Sequence, residues 1–455
     1  MELSGYLSTL PQEQLEDICR RILRSEDTGD SFVSQYLSED TSRLSRFWQD
    51  HYLKEYIKEG GSKIKFVTGR SGSGVTTTLR GMLQAAREMG YYTVSFSADD
   101  AWLSDFREVY LKILSQVDLN RIFQGCADRV IEEMGFHVSE IPEGMRLVDY
   151  LGSRNDFLTK RQIRENLSRM FLDNPLLDNN FASCCSLYVG DLLGHPILDP
   201  ATRDFIDAWM HGDKEQKSAA ITANGLSPYR ITKFNARHML RSLCEIIRLS
   251  GAPGLVVAVD HMDALLADTG LEKLHYTKIR RDDTYESVRQ LIDDIDTMKH
   301  VMFLYGFDRK LFDNAKYGIT TYQALWMRIQ NEIHSERFNC FTDMAFLDDL
   351  NRQDMNADVC VALSGKVYEA AQELLSLCPE VDAESEFRRA GILKEGKNAA
   401  PMHVLTEDEA KVLLQREPYY ACGLPRMVMR YTLGADSLNT NDAESDAEEG
   451  VENHG

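Results

Sequence analysis

The segment KIKFVTGRSGSGVTTTLRGMLQAAREMGYYTVSF constrains the fold of this chain more than any other. Ile64, Phe66 and Val67 form a short buried-strand signal that ends at Gly69. A helix-spaced stretch follows from about Val75 to Met89, and Gly90 stops it before a second apolar run from Tyr91 to Ser97. Strand, glycine loop, helix and strand in that order make a βαβ unit, which lays two parallel strands in one sheet.

The loop itself carries the chemistry. Gly69, Arg70, Ser71, Gly72, Ser73, Gly74, Val75 and Thr76 have the spacing G-x-x-x-x-G-x-T, and Thr77 follows. A full phosphate loop cradles phosphates with backbone N–H groups at a helix N-terminus, reaches the β and γ phosphates with a lysine, and holds Mg²⁺ with a hydroxyl. Here the glycines keep the backbone geometry and Thr76 keeps the hydroxyl, but Val75 stands at the lysine position. One lost charge-assisted contact removes about 1.5–3 kcal/mol, or roughly one to two decades of affinity. Binding survives such a loss better than catalysis does, because the missing charge matters most for the transition state. Arg70 is the candidate substitute charge. The competing reading is a glycine-rich turn kept for packing.

Later in the chain, GAPGLVVAVD places five apolar residues before Asp260, the pattern of a central parallel strand with its carboxyl end at the acid. A helix from about Phe234 to Leu249 feeds it. A second apolar run, Val301 to Tyr305, follows a helix near Tyr285 to Met298. Alternating strands and helices predict an α/β open parallel sheet with ligands beyond the strands' carboxyl ends. In a nucleotide hydrolase the aspartate at such a strand end orients Mg²⁺-bound water, and a neighbouring glutamate polarises the attacking water. Here His261 occupies the glutamate position. Water activation for phosphoryl transfer depends mostly on positioning, so His261 is a weak candidate base beside Asp260. Thr76 and Asp260 are the candidate metal ligands.

Four regions follow from patterning. Residues 1–57 are a polar helical segment with an aromatic stripe at Phe47, Trp48, Tyr52 and Tyr56, read as packing. Residues 58–340 are the nucleotide-hydrolase-like core, with a helical insertion at about 104–232. Residues 341–435 are a helical lid, and residues 436–455 an acidic tail with seven acids and no Lys or Arg, expected to be disordered. Formal charge is −21, and −14 without that tail, so the overall field opposes phosphate binding. DNA contact would need a local patch, Lys233, Arg237, His238 and Arg241 or Lys278 to Arg281, and both read as solvated faces. The first residues lack a basic region followed by an apolar stretch, and no apolar run approaches the ~18 residues of a membrane span. Nine scattered cysteines without a C-x-x-C pair read as reduced thiols, and a cytoplasmic location is expected.

With the loop, GLVVAVD, FLYGFDRKLFDNAKYGITTYQALWMRI and GLPR assembled, the chain resembles the P-loop ATP-binding proteins of bacteriophage-exclusion (BREX) defence systems, a branch of AAA-type ATPases. The resemblance covers most of the chain and is weakest at both ends. It implies ATP and Mg²⁺ as ligands, Gly69 to Thr76 as the phosphate loop, and Asp260 as the Mg²⁺-associated acid. It also implies that Gly423, Leu424, Pro425 and Arg426 open a lid helix whose arginine senses the γ-phosphate. No sensor residue can be assigned at the end of the Val301 strand, where Asp308 is the nearest polar group. Arg280, Arg281, Arg289 and Arg328 are candidates for an inter-subunit arginine finger. Implied partners are other defence-system subunits, a related active ATPase among them, in a homo- or hetero-oligomer without a membrane.

Val75 and His261 fall on the two positions hydrolysis needs most. The expected function is therefore an ATP-binding regulatory subunit that is catalytically weak or inactive. The other readings are a slow ATPase powering a DNA-associated complex, with Arg70 or a neighbouring subunit supplying charge, and a non-enzymatic scaffold or DNA-binding adaptor.

Overall fold

Five strands, Ser62–Gly69 (β1), Tyr92–Ser97 (β2), Leu255–Asp260 (β3), Val301–Asp308 (β4) and Met344–Phe346 (β5), build one all-parallel sheet in the order β2-β3-β4-β1-β5. The computed structural model describes residues 2–37, 43–152, 156–266, 273–330, 339–394 and 396–436. The α/β open parallel sheet expected from the sequence is the fold adopted, and of the acidic tail only Asp436 lies among the described residues.

Period-two alternation divides the central strands between two cores. Along β4, Val301, Phe303, Tyr305 and Phe307 face one side while Met302 and Leu304 face the other; along β3, Val257 and Val259 oppose Val256 and Ala258. Burial on both faces explains why these strands read as unbroken apolar runs. The first face is covered by helices inserted between β2 and β3, including Phe106–Leu114, Leu119–Glu133, Asn179–Leu193 and Ala236–Leu249. That insertion contains no strand among its described residues. The second face holds the helix Val75–Glu88 together with Trp48, Tyr52 and Ile57, so most of the aromatic stripe is indeed packing, and only Tyr56 is exposed.

The three-residue β5 was not legible as a strand, and a buried lysine fixes its place. The Lys65 side chain is fully buried, and its Nζ donates to the carbonyls of Phe341 and Thr342, each at 2.8 Å, and to Asp343 Oδ1 at 2.9 Å. Nζ also sits 4.7 Å from the centre of the Tyr52 ring. Three acceptors and an aromatic face offset the desolvation of the ammonium, which unpaired would not tolerate such burial. The Phe66 N–H completes the join by donating to Asp343 O at 2.7 Å.

A third core lies apart from the sheet. Leu15, Ile18 and Ile22 of the helix Gln12–Leu23 pack with Val367, Ala371 and Leu374 of the helix Ala357–Leu377 and with Met427 and Val428 of the helix Leu424–Thr432. The described residues near both chain ends thus share one core. Arg24 pairs with Glu386 at 2.5 Å, and Gln12 Nε2 donates to Leu377 O at 3.2 Å across the same boundary. All nine cysteines are free and eight are buried, as expected for small core residues. Among the described residues, no helix is long and apolar enough to cross a membrane.

Candidate functional site

β1 delivers Gly69 to the carboxyl edge of the sheet, and the chain turns through Arg70 to Gly74 into the helix Val75–Glu88. Gly72 at φ +81° and Gly74 at φ +100° take left-handed values that glycine adopts without the Cβ clash. The turn leaves the N–H groups of Gly72, Gly74, Val75, Thr76 and Thr77 without an acceptor among the described residues. The Ser73 Oγ is also buried and unpartnered. Buried orphan groups are costly, and a run of free donors at a helix N-terminus is what an oxyanion satisfies.

Behind the loop, Thr76 Oγ1 donates to Asp260 Oδ2 at 2.7 Å, while the His261 N–H holds Asp260 Oδ1 at 2.8 Å. Two chain positions far apart in sequence therefore present a hydroxyl and a carboxylate side by side, both hard oxygen donors. Among the described residues, no group of three or more His, Cys, Asp or Glu could hold a metal. The pair fits Mg²⁺, which takes one or two protein ligands together with substrate phosphates. The His261 ring is 59% exposed, with Nδ1 3.8 Å from Asp260 Oδ2, and its backbone has φ +55°.

Gly306 on β4 makes this corner close-packed. A methyl group placed there would lie 2.6 Å from Leu79 Cδ1, 2.8 Å from Asp260 Oδ1 and 2.9 Å from Val75 Cγ1. The position is thus restricted to glycine by the acid and by the residue standing in the lysine's place. It carries no charge or motif, so nothing in a single sequence marks it.

Arg70 turns its charge away from the free N–H groups of the loop. Its N–H donates to Asp348 Oδ2 at 2.9 Å and its Nε to Asp348 Oδ1 at 3.2 Å; Nη1 reaches Tyr420 O at 2.5 Å, and Nη2 pairs with the Glu417 carboxylate. Asp348 and Glu417 are each 1% exposed. Arg426 is placed differently. The Gly423 N–H donates to Ser71 O at 3.0 Å, and Arg426 Nη1 donates to Ser71 Oγ at 2.6 Å. A methyl group on Gly423 would lie 2.5 Å from the Ser73 nitrogen, and one on Gly72 would lie 2.6 Å from Arg426 Nε. That Nε is buried without a partner, and no carboxylate pairs with Arg426 among the described residues. Burial, reinforced by the Arg430 guanidinium, pushes Arg426 below its ordinary value. The helix Leu424–Thr432 thus lays against the loop a guanidinium that forms no ion pair among the described residues.

Asp308, at the end of β4, accepts from the Lys310 N–H at 2.9 Å and donates its own N–H to Asp263 Oδ1 at 3.1 Å. Burial, together with the Asp263 and Asp348 carboxylates, raises its carboxyl above the ordinary range. With Arg70, Ser71, Arg309 and Arg352 it lines an open cleft of about 650 Å³. On the other side of the loop, Gly74, Thr77, Leu350, Asn351, Pro425 and Met429 line a smaller cavity of about 190 Å³.

The sequence pattern missed Asp348, Asn351, Arg352 and Glu417. Asn351 Nδ2 donates to Ser73 O at 2.9 Å, and Arg352 Nε donates to Glu417 Oε2 at 2.7 Å. LDDLNRQD reads as a charged helix face, and the burial of Asp348 within it follows from the unrecognised β5 just before it. The arginine-finger candidates are engaged within the chain: Arg281 Nε donates to Leu265 O at 2.6 Å, Arg280 lies 3.7 Å over Trp102, and Arg289 and Arg328 both pair with Asp293. Of the proposed basic patch, Arg237 pairs with Asp294 at 2.9 Å, and Arg241 Nε donates to Leu176 O at 3.1 Å.

Residues 51–373 match the family model described as BREX system ATP-binding protein BrxC/D, a span that holds the loop Gly69–Thr77, Asp260 and Asp348 and stops before Gly423. No curated protein and no solved structure matches the chain. With well over half of its length inside that model, the chain belongs to the BREX system ATP-binding protein BrxC/D family.

Proposed function

We propose that this protein is a nucleotide-binding regulatory subunit of a bacteriophage-exclusion system, one that binds ATP at the loop Gly69–Thr77 and hydrolyses it slowly or not at all. The observation that carries this reading is the combination at one corner of free loop N–H donors, the Thr76–Asp260 pair and a valine at position 75. The donors would take the phosphates, and Thr76 and Asp260 would hold Mg²⁺, whose role there is to neutralise phosphate charge. Arg426 is the residue we assign to the terminal phosphate, since its guanidinium lies against Ser71 without an acidic partner. The cavity bounded by Thr77, Leu350 and Pro425 is the seat for the base.

Hydrolysis lacks support at both positions it depends on. Val75 supplies no charge, and His261 carries an exposed ring on a left-handed backbone rather than a buried carboxylate. The slow-ATPase reading needs a substitute cation, and Arg70 is committed to Asp348 and Glu417. DNA binding finds little support in patches whose arginines are already bonded within the chain. A subunit that binds without turnover suits assembly with other defence-system subunits, an active relative among them, in a homo- or hetero-oligomer of the cytoplasm.

Calorimetric titration with ATP, with and without Mg²⁺, tests the proposal on wild type and on Gly74→Glu, which fills the loop. Wild-type binding that the variant loses is the expected result. Absence of binding at millimolar ATP would reduce the loop to a packing turn, and turnover abolished by Thr76→Ala would restore the enzymatic reading.

A further inference from the structure

We propose that the ionic knot around Arg70 is a latch that holds the lid shut on the phosphate loop, and that opening it is the step that admits nucleotide. The second half rests on the nucleotide-binding reading above. Arg70 belongs to the loop, Asp348 to the helix that follows β5, and Glu417 to the turn ahead of the lid helix. Arg70 bonds both acids, Arg352 joins Glu417 at 2.7 Å, and Arg309 approaches Asp348 at 3.7 Å. Three elements remote in sequence therefore meet on two carboxylates that are almost wholly buried.

Buried carboxylates are costly to leave unpaired, so these bonds favour the closed arrangement in which both acids keep their arginines. When the knot is whole, the lid touches the loop directly: Gly423 on Ser71, and the Arg426 N–H on Gly72 O at 3.3 Å. The Gly423 backbone approaches Ser73 so closely that a side chain would not fit between them. The space left for a base is about 190 Å³. Small-molecule pockets run from roughly 300 to 1,000 Å³. A base seated in that cavity thus needs the helix Leu424–Thr432 to withdraw, and withdrawal pulls Glu417 from Arg70. The arginine that sequence reading placed as a phosphate ligand instead reports lid position to the loop.

Hydrogen–deuterium exchange on the full chain tests the latch in wild type, Glu417→Gln and Arg352→Ala. Amides of residues 423–432 should exchange at least about tenfold faster in both variants, while β3 keeps its protection and certifies folding. Unchanged lid exchange overturns the latch. If Glu417→Gln does not fold, Arg352→Ala decides alone, since its side chain is 43% exposed and its loss leaves the core intact. Stopped-flow binding of a fluorescent ATP analogue to the same proteins tests the gate. On-rates at least about tenfold higher in the variants support it, as one lost charge-assisted contact predicts; a faster lid with unchanged on-rates overturns it. Absence of binding in all three proteins overturns the nucleotide reading and the gate with it, while the exchange data still decide the latch.

Discussion

Replacing Gly306 by alanine should disturb the candidate site without changing any charge. Gly306 pairs with Val67 in the middle of the sheet, and its added methyl would meet Leu79, Asp260 and Val75, all at less than 3.0 Å. Overpacking of this kind costs about 1–3 kcal/mol. Asp260 is the neighbour that can yield toward solvent, and yielding breaks its 2.7 Å bond with Thr76. A hydrogen bond to a charged group is worth about 1.5–3 kcal/mol, so the Mg²⁺-dependent part of ATP affinity should fall by roughly ten- to hundredfold. Urea unfolding gives the first quantity, and ATP calorimetry with and without Mg²⁺ gives the second. Adding Val75→Ala removes one of the three clashes and should recover part of the stability without recovering the Mg²⁺ dependence. A Gly306→Ala protein with wild-type unfolding midpoint and wild-type Mg²⁺ dependence would refute the packing argument and the assignment of the Thr76–Asp260 pair.

Val75→Lys returns the missing charge, and ATP affinity measured by calorimetry should rise at least about tenfold; unchanged affinity would mean that the loop is not a phosphate site. Arg426→Ala should weaken ATP binding by about 1.5–3 kcal/mol, while Arg426→Lys restores part of it; equal binding by all three proteins would remove Arg426 from the site. Asp308 gives a pH test. Because its folded carboxyl value is raised, protonation favours the folded chain: the gain is complete below the unfolded value of about 3.9 and is lost as pH rises through the folded value. Bound phosphate should raise that value further, so ATP affinity should climb as pH falls from neutrality toward the raised carboxyl value, and Asp308→Asn should flatten the climb. Identical pH profiles for wild type and Asp308→Asn would exclude Asp308 from the site's field.

The sheet was legible because its central strands are buried on both faces. LVVAVD and the run from Val301 carry their assignment in composition alone, and the loop carries its own in glycine spacing. β5 was illegible for the converse reason: three residues give no periodicity, and the lysine that seats them sits on β1, far away in sequence. That one gap hid the burial of Asp348, and with it the role of Arg70. A guanidinium one step into a phosphate loop reads as a phosphate ligand until its true partners come into view from the helix after β5 and the turn before the lid. The motif singled out Arg426, but its position against Ser71 without an ion pair among the described residues is a property of packing that no spacing reports.

The core shared by the two ends of the described chain sets an order of assembly during synthesis. The helix Gln12–Leu23 is made with its apolar face bare, and its partner Ala357–Leu377 follows about 330 residues later. At ~5–20 residues per second that is a delay of roughly 20–70 s. The sheet and its helical insertion can pack within that interval, since their contacts lie between β1 and β5. The nascent protein therefore passes through a stage in which the loop Gly69–Thr77 is built before the helix Leu424–Thr432 that lies on it, and the helix Gln12–Leu23 waits for the chain that will cover it.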